Sequence, residues 1–290
     1  MTIWLQFLAL TAVIVVAGSY LSRYGDVIAE KTGLGRTWIG IILMASITSL
    51  PELITGISSV SFYSVPDIAV GDVLGSCMFN MLILALLDVK SGATPISARA
   101  HQGQVLAAAF GIFLLGLVTL SIFAGDKMPA IGWVGAQSLV FMAVYLADMR
   151  LVFQYERKRI LEYVQEAAGA AQYGEVSSTR AYAIFGMNAV LIVAAATYLP
   201  HVGEQIARSS GLGQTFVGNI LIAASTSLPE IVVSFGALRI GAVDMAYGNL
   251  FGSNLFDIAI LAIDDFFYTA GPLIAHVSPS HALRDRKSVV

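Results

Sequence analysis

Apolar residues in this chain form long runs separated by short polar turns. Windows of about 20 apolar residues, the length that crosses a hydrocarbon core as a helix, occur eight times. We expect eight membrane-spanning helices, over residues 2–22, 37–62, 67–87, 104–124, 130–153, 181–200, 215–239 and 243–263. Most prolines fall in the turns between them, at Pro66, Pro95, Pro129, Pro200 and Pro272. Pro51 and Pro229 instead fall well inside spans.

The composition agrees with a membrane protein. Apolar residues make up 57% of the 290 residues and charged residues 12%, against roughly 25% charged residues in soluble proteins. Lys and Arg are concentrated in the segments that lie inside if the N-terminus is outside, so the positive-inside rule predicts that orientation. We therefore expect a multi-pass protein of the cell (inner) membrane, with the lipid bilayer as its partner. The sequence has no basic cluster large enough for nucleic acid and gives no sign of an obligate protein partner.

The chain contains two similar halves. The sequence Thr-Ser-Leu-Pro-Glu at residues 48–52 recurs at residues 226–230, and a Gly-Ser-x-x-x-Asn/Asp pattern at residues 75–80 recurs at 252–257. Five predicted spans precede the basic segment between the halves, and an odd number reverses the direction in which the second half enters the membrane. We therefore predict an all-α polytopic fold of inverted-topology repeats: a first half over 1–154, a cytoplasmic loop over 155–180 and a second half over 181–290.

Each half places a proline and a glutamate together inside an apolar span. The proline cannot donate a hydrogen bond to the carbonyl four residues earlier, and its ring clashes there, so it breaks the helix. Carbonyls freed at membrane depth are tolerated where they line a polar cavity or meet a cation. A carboxylate at that depth is costly unless it meets positive charge. The pattern predicts two broken helices that present oxygen atoms to a cation near the midplane.

The side chains around the two breaks offer only oxygen ligands. Glu52 and Glu230 supply formal charge, and hydroxyl, amide and further carboxyl groups stand nearby or at i, i+4 spacing on the following spans, in Thr48, Ser49, Ser76, Asn80, Thr226, Ser227, Ser253 and Asp257. An all-oxygen set with two or three carboxylates suits a hard cation such as Ca²⁺. The single cysteine, Cys77, and the distant histidines argue against a soft metal. Asp88, Asp264 and Asp265 fall at span ends, where we expect them to be interfacial and without a direct role.

The blocks at about residues 33–88 and 211–265 resemble the alpha-repeats of the calcium/cation antiporter superfamily, and within it the prokaryotic sodium/calcium exchangers. The resemblance implies that Glu52 and Glu230 are central ligands shared by Ca²⁺ and Na⁺, and that Asn80 and Asp257 complete the middle of the site. It also implies two flanking sites, one formed by Thr48, Ser49, Ser76 and the Ala45 carbonyl, the other by Thr226, Ser227, Ser253 and the Ala223 carbonyl. Cys77 stands where its counterpart is Asn254, beside these positions.

By this resemblance the chain is an antiporter that exchanges Na⁺ for Ca²⁺ by alternating access, without a cofactor. It is not expected to be an enzyme, because no nucleophile–base pair or catalytic metal cluster is evident. The nearest alternative is a Ca²⁺/H⁺ exchanger in which Glu52 and Glu230 carry protons. Asp257 and Asn80 favour sodium, since they add ligands beyond those that a proton carrier requires.

A different alternative is a truncated, non-transporting product of an exchanger gene. The family pattern has five spans in each half, whereas this sequence predicts five and three. All the proposed ligands are present, but the last two spans are not. We therefore expect the chain expressed alone to be unstable or inactive in transport.

Overall fold

The computed structural model describes residues 2–31, 45–90, 102–167, 176–239, 243–278 and 281. The α-helices are α1 (Thr2–Lys31), α2 (Leu50–Ser61), α3 (Pro66–Lys90), α4 (Gln102–Ala124), α5 (Ala136–Ala167), α6 (Ser178–Ser210), α7 (Gln214–Phe216), α8 (Ala223–Thr226), α9 (Leu228–Arg239) and α10 (Val243–Phe267). A π-helix, Val217–Ile222, joins α7 to α8, and 3₁₀ helices cover Gly125–Lys127 and Leu273–His276. Strands β1 (Ala130–Ile131) and β2 (Val134–Gly135) pair antiparallel in a short hairpin.

The helices follow the apolar runs of the sequence. The second predicted span, 37–62, is described only from residue 45, as helical residues 45–48 followed by α2. The hairpin occupies the first residues of the fifth predicted span, so α5 begins at Ala136. At its other end α5 continues through Ala167, which makes the first part of the predicted loop helical.

Five helical segments among the described residues are long and apolar enough to cross a membrane: Thr2–Gly25, Pro66–Lys90, Gly103–Ala124, Ser178–Ser210 and Gln214–Gly236. The predicted spans in α5 and α10 are not among these five. In α10 the polar side chains are buried within the bundle, at Asn249, Ser253, Asn254, Asp257, Asp264 and Asp265. These six polar residues therefore face protein, which is where polar groups at membrane depth are tolerated.

The two predicted helix breaks are present and have matching geometry. Backbone torsions leave regular helix at Ser49 (φ −85°, ψ 13°) and at Ser227 (φ −83°, ψ 2°). In each half the proline occupies the second position of the helix that follows, Pro51 in α2 and Pro229 in α9. A proline there has no hydrogen bond to lose, because the first N–H groups of a helix have no partner within it.

The expectation for Pro200 was wrong. The sequence placed it in a turn after a span ending at residue 200, but it lies inside α6, which continues to Ser210. A proline inside a helix removes one backbone hydrogen bond and favours a kink rather than termination when packing holds both sides. Packing does so here, since Leu199 and Val202 on either side are fully buried.

Glycines let α3 approach the π-helix closely. A Cβ atom at Gly75 would clash with the backbone carbonyl of Asn219 and would lie 2.5 Å from Cβ of Ala223. One turn earlier, a Cβ atom at Gly71 would lie 3.0 Å from Cα of Gly218. The backbones of the two halves therefore approach each other closely at this contact.

Apolar side chains hold the rest of the bundle together and cover its outside. α1 packs along α6 through a cluster that includes Ile14, Leu199, Val202 and Ile206, all fully buried. A second cluster joins α10 to α3, α4 and α5. Large apolar side chains are exposed on the helices, as in Ile112 on α4, which is 74% exposed. This exposure fits a surface in contact with lipid.

The turn between α2 and α3 lies at the same end of the bundle as the segment after α10. The carboxylate of Asp67, near the start of α3, accepts a hydrogen bond from the backbone N–H of Ser278 (2.7 Å) and pairs with Nε2 of His281 (3.0 Å). We refer to this end as the α2–α3 end. The distribution of Lys and Arg predicts that it is the outer end.

Candidate cation site

The structure brings all the predicted ligand residues together around the two helix breaks. None of them is more than 3% exposed: Ala45, Thr48, Ser49, Glu52, Ser76, Asn80, Ala223, Thr226, Ser227, Glu230, Ser253 and Asp257. They come from residues 45–52 and α3 in the first half and from residues 223–230 and α10 in the second. Each half thus supplies one broken helix and one continuous helix to the site.

The central glutamates are hydrogen-bonded by serines from the opposite half. Oε1 of Glu52 accepts from the hydroxyl of Ser227 (3.3 Å), and Oε1 of Glu230 accepts from the hydroxyl of Ser49 (3.4 Å). Ser76, from the same half as Glu52, also donates to its Oε1 (3.3 Å). The two breaks are therefore connected to each other through a reciprocal pair of serine–glutamate hydrogen bonds.

The threonines repeat this exchange between halves. The hydroxyl of Thr48 lies 3.4 Å from that of Ser253 and 3.3 Å from Oδ1 of Asn249, both on α10. The hydroxyl of Thr226 lies 3.5 Å from that of Ser76, on α3. These side-chain contacts of the threonines cross between the halves, in addition to the contacts that the predicted flanking residues make within each half.

The two candidate carbonyl ligands have equivalent surroundings. The Ala45 carbonyl accepts from the N–H of Ser49 (3.0 Å) and lies 3.2 Å from the Thr48 hydroxyl, and the Ala223 carbonyl has the same contacts with Ser227 (3.0 Å) and Thr226 (3.2 Å). A carbonyl oxygen has two lone pairs. Each carbonyl can therefore keep its helical bond and still coordinate a cation when the threonine hydroxyl donates elsewhere.

Two residues of the middle group also pair across the halves. Nδ2 of Asn80 donates to Oδ1 of Asn254 (2.9 Å), and Sγ of Cys77 lies 3.8 Å from Oδ2 of Asp257. Because Cys77 is the counterpart of Asn254, these contacts are equivalent positions of the two repeats. Cys77 therefore packs against the site.

Four of the predicted ligand residues each keep one buried oxygen without a hydrogen-bond partner. These atoms are Oε2 of Glu52, Oε2 of Glu230, Oδ1 of Asn80 and Oδ1 of Asp257. Leaving a buried polar atom unpaired costs about 1–3 kcal/mol, and more when it is charged. In the described part of the chain no three Asp, Glu, His or Cys side chains converge to hold a metal ion by themselves. Neutral oxygens must therefore complete any cation site here.

Sequence reasoning missed Asp72 and Asn249, which are counterparts in the two repeats. Asp72 is fully buried, its Oδ1 accepts from the hydroxyl of Thr226 (2.9 Å), and its Oδ2 has no hydrogen-bond partner. The sequence contains the information needed to find them, because aligning the repeats at Gly71 and Gly248 makes Asp72 the counterpart of Asn249. The carboxylates of Asp72, Glu52, Glu230 and Asp257 are all buried.

The expectation that Asp264 and Asp265 are interfacial was also wrong. Both are fully buried near the α2–α3 end of α10. Asp265 accepts three hydrogen bonds, from the N–H of Gly135 (2.8 Å), the hydroxyl of Ser138 (2.6 Å) and the N–H of Leu273 (2.6 Å). It therefore ties the hairpin, α5 and the segment after α10 together. The position of these two residues at the end of a predicted span suggested that their side chains are exposed, but tertiary contacts bury them.

Comparisons with known proteins identify the family of this chain. A family model described as sodium/calcium exchanger protein matches residues 2–153 and 180–271. The chain belongs to the sodium/calcium exchanger family. The exchanger is 26% identical to sodium/calcium exchanger MaX1 of Methanosarcina acetivorans, over 92% of this chain and 84% of that protein. It is 25% identical to inner membrane protein YrbG of Escherichia coli, over 86% of this chain and 74% of that protein.

Solved structures show the same fold. The exchanger superposes on the sodium-calcium exchanger NCX_Mj with a TM-score of 0.58, at 20% identity, covering 97% of this chain and 86% of that one. It superposes on the H⁺/Ca²⁺ exchanger CAX with a TM-score of 0.67, at 14% identity, covering 97% and 72%. The predicted family and the all-helical, inverted-repeat fold class are thereby confirmed. The exchanger is a multi-pass protein of the cell membrane that transports Ca²⁺ or related cations, and its relatives are transporters rather than enzymes.

Proposed function

We propose that this chain exchanges Na⁺ for Ca²⁺ by alternating access at the carboxylate-lined site between its two helix breaks. The observation that carries the proposal is the reciprocal pair of hydrogen bonds from Ser227 to Glu52 and from Ser49 to Glu230. Each glutamate is held by the opposite half, so one site is built from both halves. A cation bound there contacts both, and relative motion of the halves changes the side from which it is reached.

Competition for the same carboxylates would couple the two ions. Glu52 and Glu230 each offer an unpaired oxygen, and Asn80 and Asp257 each offer another. Ca²⁺ and Na⁺ are both hard cations that prefer such oxygen ligands. Either cargo compensates buried negative charge, which is costly to leave uncompensated. The site without cargo therefore resists crossing the membrane, and this resistance makes transport an exchange rather than a leak.

The proposed topology places the N-terminus outside and divides the chain into halves over 1–154 and 181–290, joined by a cytoplasmic loop over 155–180. In this arrangement the α2–α3 end faces outward. The contact of α3 with the π-helix, where Gly75 meets the carbonyl of Asn219, is where one half would slide on the other. π-Helical turns are frequent at functional sites, and this one is separated from the second break only by α8.

A Ca²⁺/H⁺ exchanger is the second candidate, and Asp72 is the observation that favours it. With Asp72 the site has four buried carboxylates, together with Glu52, Glu230 and Asp257. One Ca²⁺ offsets only two of these charges, and protons are the simplest way to neutralise the remainder. Asn80 and the hydroxyl groups favour sodium, because proton carriage does not require them.

A flux measurement separates the two candidates. The purified chain is reconstituted in vesicles, and ⁴⁵Ca²⁺ uptake is followed against an imposed Na⁺ gradient with the pH gradient collapsed, then against a pH gradient without Na⁺. Na⁺-coupled exchange predicts uptake in the first condition only, whereas the truncated, non-transporting alternative predicts uptake in neither condition. Uptake that ignores Na⁺ and follows the pH gradient would establish the proton-coupled alternative. Absence of uptake in both conditions, from protein shown to be folded, would contradict Ca²⁺ exchange by this chain.

Asp257→Asn should impair Na⁺-dependent flux more than equilibrium Ca²⁺ binding. Asp257 is proposed to complete the sodium-loaded state, whereas Glu52 and Glu230 dominate the binding of Ca²⁺. We expect about a tenfold loss of Na⁺-driven flux, equivalent to about 1.4 kcal/mol, and a smaller change in the Ca²⁺ dissociation constant. Both are measured on the same preparation, by vesicle flux and by ⁴⁵Ca²⁺ equilibrium binding.

The repeat supplies a matched control for this change. Asn80 is the counterpart of Asp257, so combining Asn80→Asp with Asp257→Asn keeps the number of carboxylates and exchanges their halves. Partial recovery of flux in the double variant would show that charge at the middle of the site matters. Normal Na⁺ dependence in the Asp257→Asn variant alone would contradict the assignment of Asp257 to the sodium-loaded state.

A further inference from the structure

Asp264 and Asp265 are neighbours in sequence with opposite surroundings. Asp265 accepts three hydrogen bonds, whereas both carboxylate oxygens of Asp264 are buried without a hydrogen-bond partner. Asp264 itself is 0% exposed. An ionised carboxylate in such a place is strongly unfavourable, because the protein interior supplies neither the hydrogen bonds that water would make nor a counter-charge. Asp265 makes the hydrogen bonds that join the hairpin, α5 and the segment after α10. The carboxylate of Asp264 takes no part in them and is available to bind a ligand.

Asp264 lies on the same face of α10 as the middle of the cation site. It follows Asp257 by seven residues, which is two helical turns and about 10.5 Å along the axis. The displacement is toward the α2–α3 end. Asp264 is therefore a second carboxylate on one continuous line from the central site to that end of the bundle.

The facing helix is shaped to accommodate this carboxylate. Gly56 on α2 is one turn beyond Glu52, and a Cβ atom built there would clash with Oδ2 of Asp264 and lie 2.7 Å from Oδ1. The missing side chain of Gly56 gives the carboxylate its space. The hydroxyl of Thr55, the residue before Gly56, is also fully buried without a hydrogen-bond partner.

Asp72 connects Asp264 with the central site. It lies one turn nearer the α2–α3 end of α3 than Ser76, and its unpaired Oδ2 is buried. Its Oδ1 accepts a hydrogen bond from the hydroxyl of Thr226 (2.9 Å), next to the second helix break. Carboxylates on three helices, α2, α3 and α10, thus follow one another from the centre toward the α2–α3 end.

We propose that Asp264 forms a second, weaker cation site, in which a hard cation rests between the α2–α3 end and the central site. The proposal rests on the proposed function, since the cation is taken to be the transported one. A single carboxylate supplemented by neutral oxygens gives an expected Ca²⁺ dissociation constant on the order of 10⁻⁴–10⁻³ M. Under the proposed topology, cargo arriving from outside occupies this site before it reaches Glu52.

The first half supplies a substitution that the fold should accept. The counterpart of Asp264 in the repeat is Leu87, which is fully buried in α3. Asp264→Leu therefore tests whether the position needs a carboxylate, and Asp264→Asn tests the charge alone at nearly constant shape. If the side chain of Asp264 only fills space, both substitutions should leave cation binding unchanged.

Equilibrium binding of ⁴⁵Ca²⁺ to purified protein tests the site without transport. The background is the double variant Glu52→Gln with Glu230→Gln, in which the central site is disabled. We expect one weak Ca²⁺ site to remain and to disappear when Asp264→Asn or Asp264→Leu is added. Absence of residual binding in the double variant, or residual binding that persists without Asp264, would overturn the proposal. Neither result bears on exchange by the unmodified chain, so failure of the proposed function is detected separately.

The sidedness of transport gives a second readout. In oriented vesicles, Asp264→Asn should raise the half-saturating Ca²⁺ concentration about tenfold when Ca²⁺ is supplied at the α2–α3 face, and leave it unchanged at the opposite face. Glu204→Gln, the same kind of change in the Glu204–Arg208 ion pair on α6, serves as control. No change at either face, or an equal change at both with a lower melting temperature, would show that Asp264 has only a structural role.

Discussion

Glu52→Gln or Glu230→Gln should each reduce Na⁺-driven Ca²⁺ flux by about 100-fold or more. Removing a charged group from a buried hydrogen-bonded set costs about 1.5–3 kcal/mol in binding, and here it also removes charge that both proposed cargoes share. The oxygen that each glutamate leaves unpaired is the one a cation would use. Flux into vesicles and equilibrium ⁴⁵Ca²⁺ binding should fall together.

The loss should be specific to the site. Glutamine is cheaper to bury than glutamate, so both variants are expected to insert and fold normally. Glu204→Gln makes the same chemical change at a glutamate that pairs with the exposed Arg208 on α6, and should transport normally. Near-normal Ca²⁺ flux in either site variant would contradict the shared-carboxylate mechanism.

Asp265→Ala should strongly destabilise the folded protein. It leaves two backbone N–H groups, of Gly135 and Leu273, and the hydroxyl of Ser138 without their shared acceptor. At about 1–3 kcal/mol for each of these three buried unpaired groups, the expected loss in the free energy of unfolding is roughly 3–9 kcal/mol. Thermal unfolding of the detergent-solubilised protein, followed by the loss of monodisperse material, measures it.

The neighbouring residue provides the comparison for this change. Asp264→Ala removes a carboxylate that no hydrogen bond satisfies, so it should leave the melting temperature unchanged or raise it. If the two variants unfold at the same temperature, the hydrogen bonds to Asp265 do not stabilise the fold more than the unpaired carboxylate of Asp264 does. A melting temperature of the Asp265→Ala protein equal to that of the unmodified chain would contradict the anchoring role.

The helices and the breaks were predictable because local rules determine them. Apolar runs of the right length marked the spans, and a proline followed by a glutamate marked each break at Pro51 and Pro229. Repetition then identified the polar residues around the breaks, since a residue type that recurs at matched positions is informative where a single serine is not. The structure gathers all of these residues in one buried region.

The remaining features depend on tertiary contacts that no local pattern encodes. Pro200 was misplaced because packing extends α6 beyond it. The burial of Asp264 and Asp265 follows from the hairpin before α5 and the segment after α10, whose positions cannot be inferred from hydropathy. Asp72 was missed for a different reason: the comparison of repeats favoured identical residues, whereas Asp72 stands opposite an amide.

At two pairs of equivalent positions one half has an aspartate where the other has an asparagine, and this difference has a consequence for the direction of transport. In an inverted repeat a pseudo-two-fold axis in the membrane plane relates the two halves, so identical halves would give a cargo equal affinity from either face. Here position 72 in the first half is an aspartate and its repeat counterpart 249 is an asparagine. The next pair is reversed, with an asparagine at 80 and an aspartate at 257. Negative charge is therefore distributed unevenly along the membrane normal, with Asp72 displaced toward the α2–α3 end. Under the proposed alternating access, we therefore expect the two access states to be unequal in energy before any ion gradient acts on them.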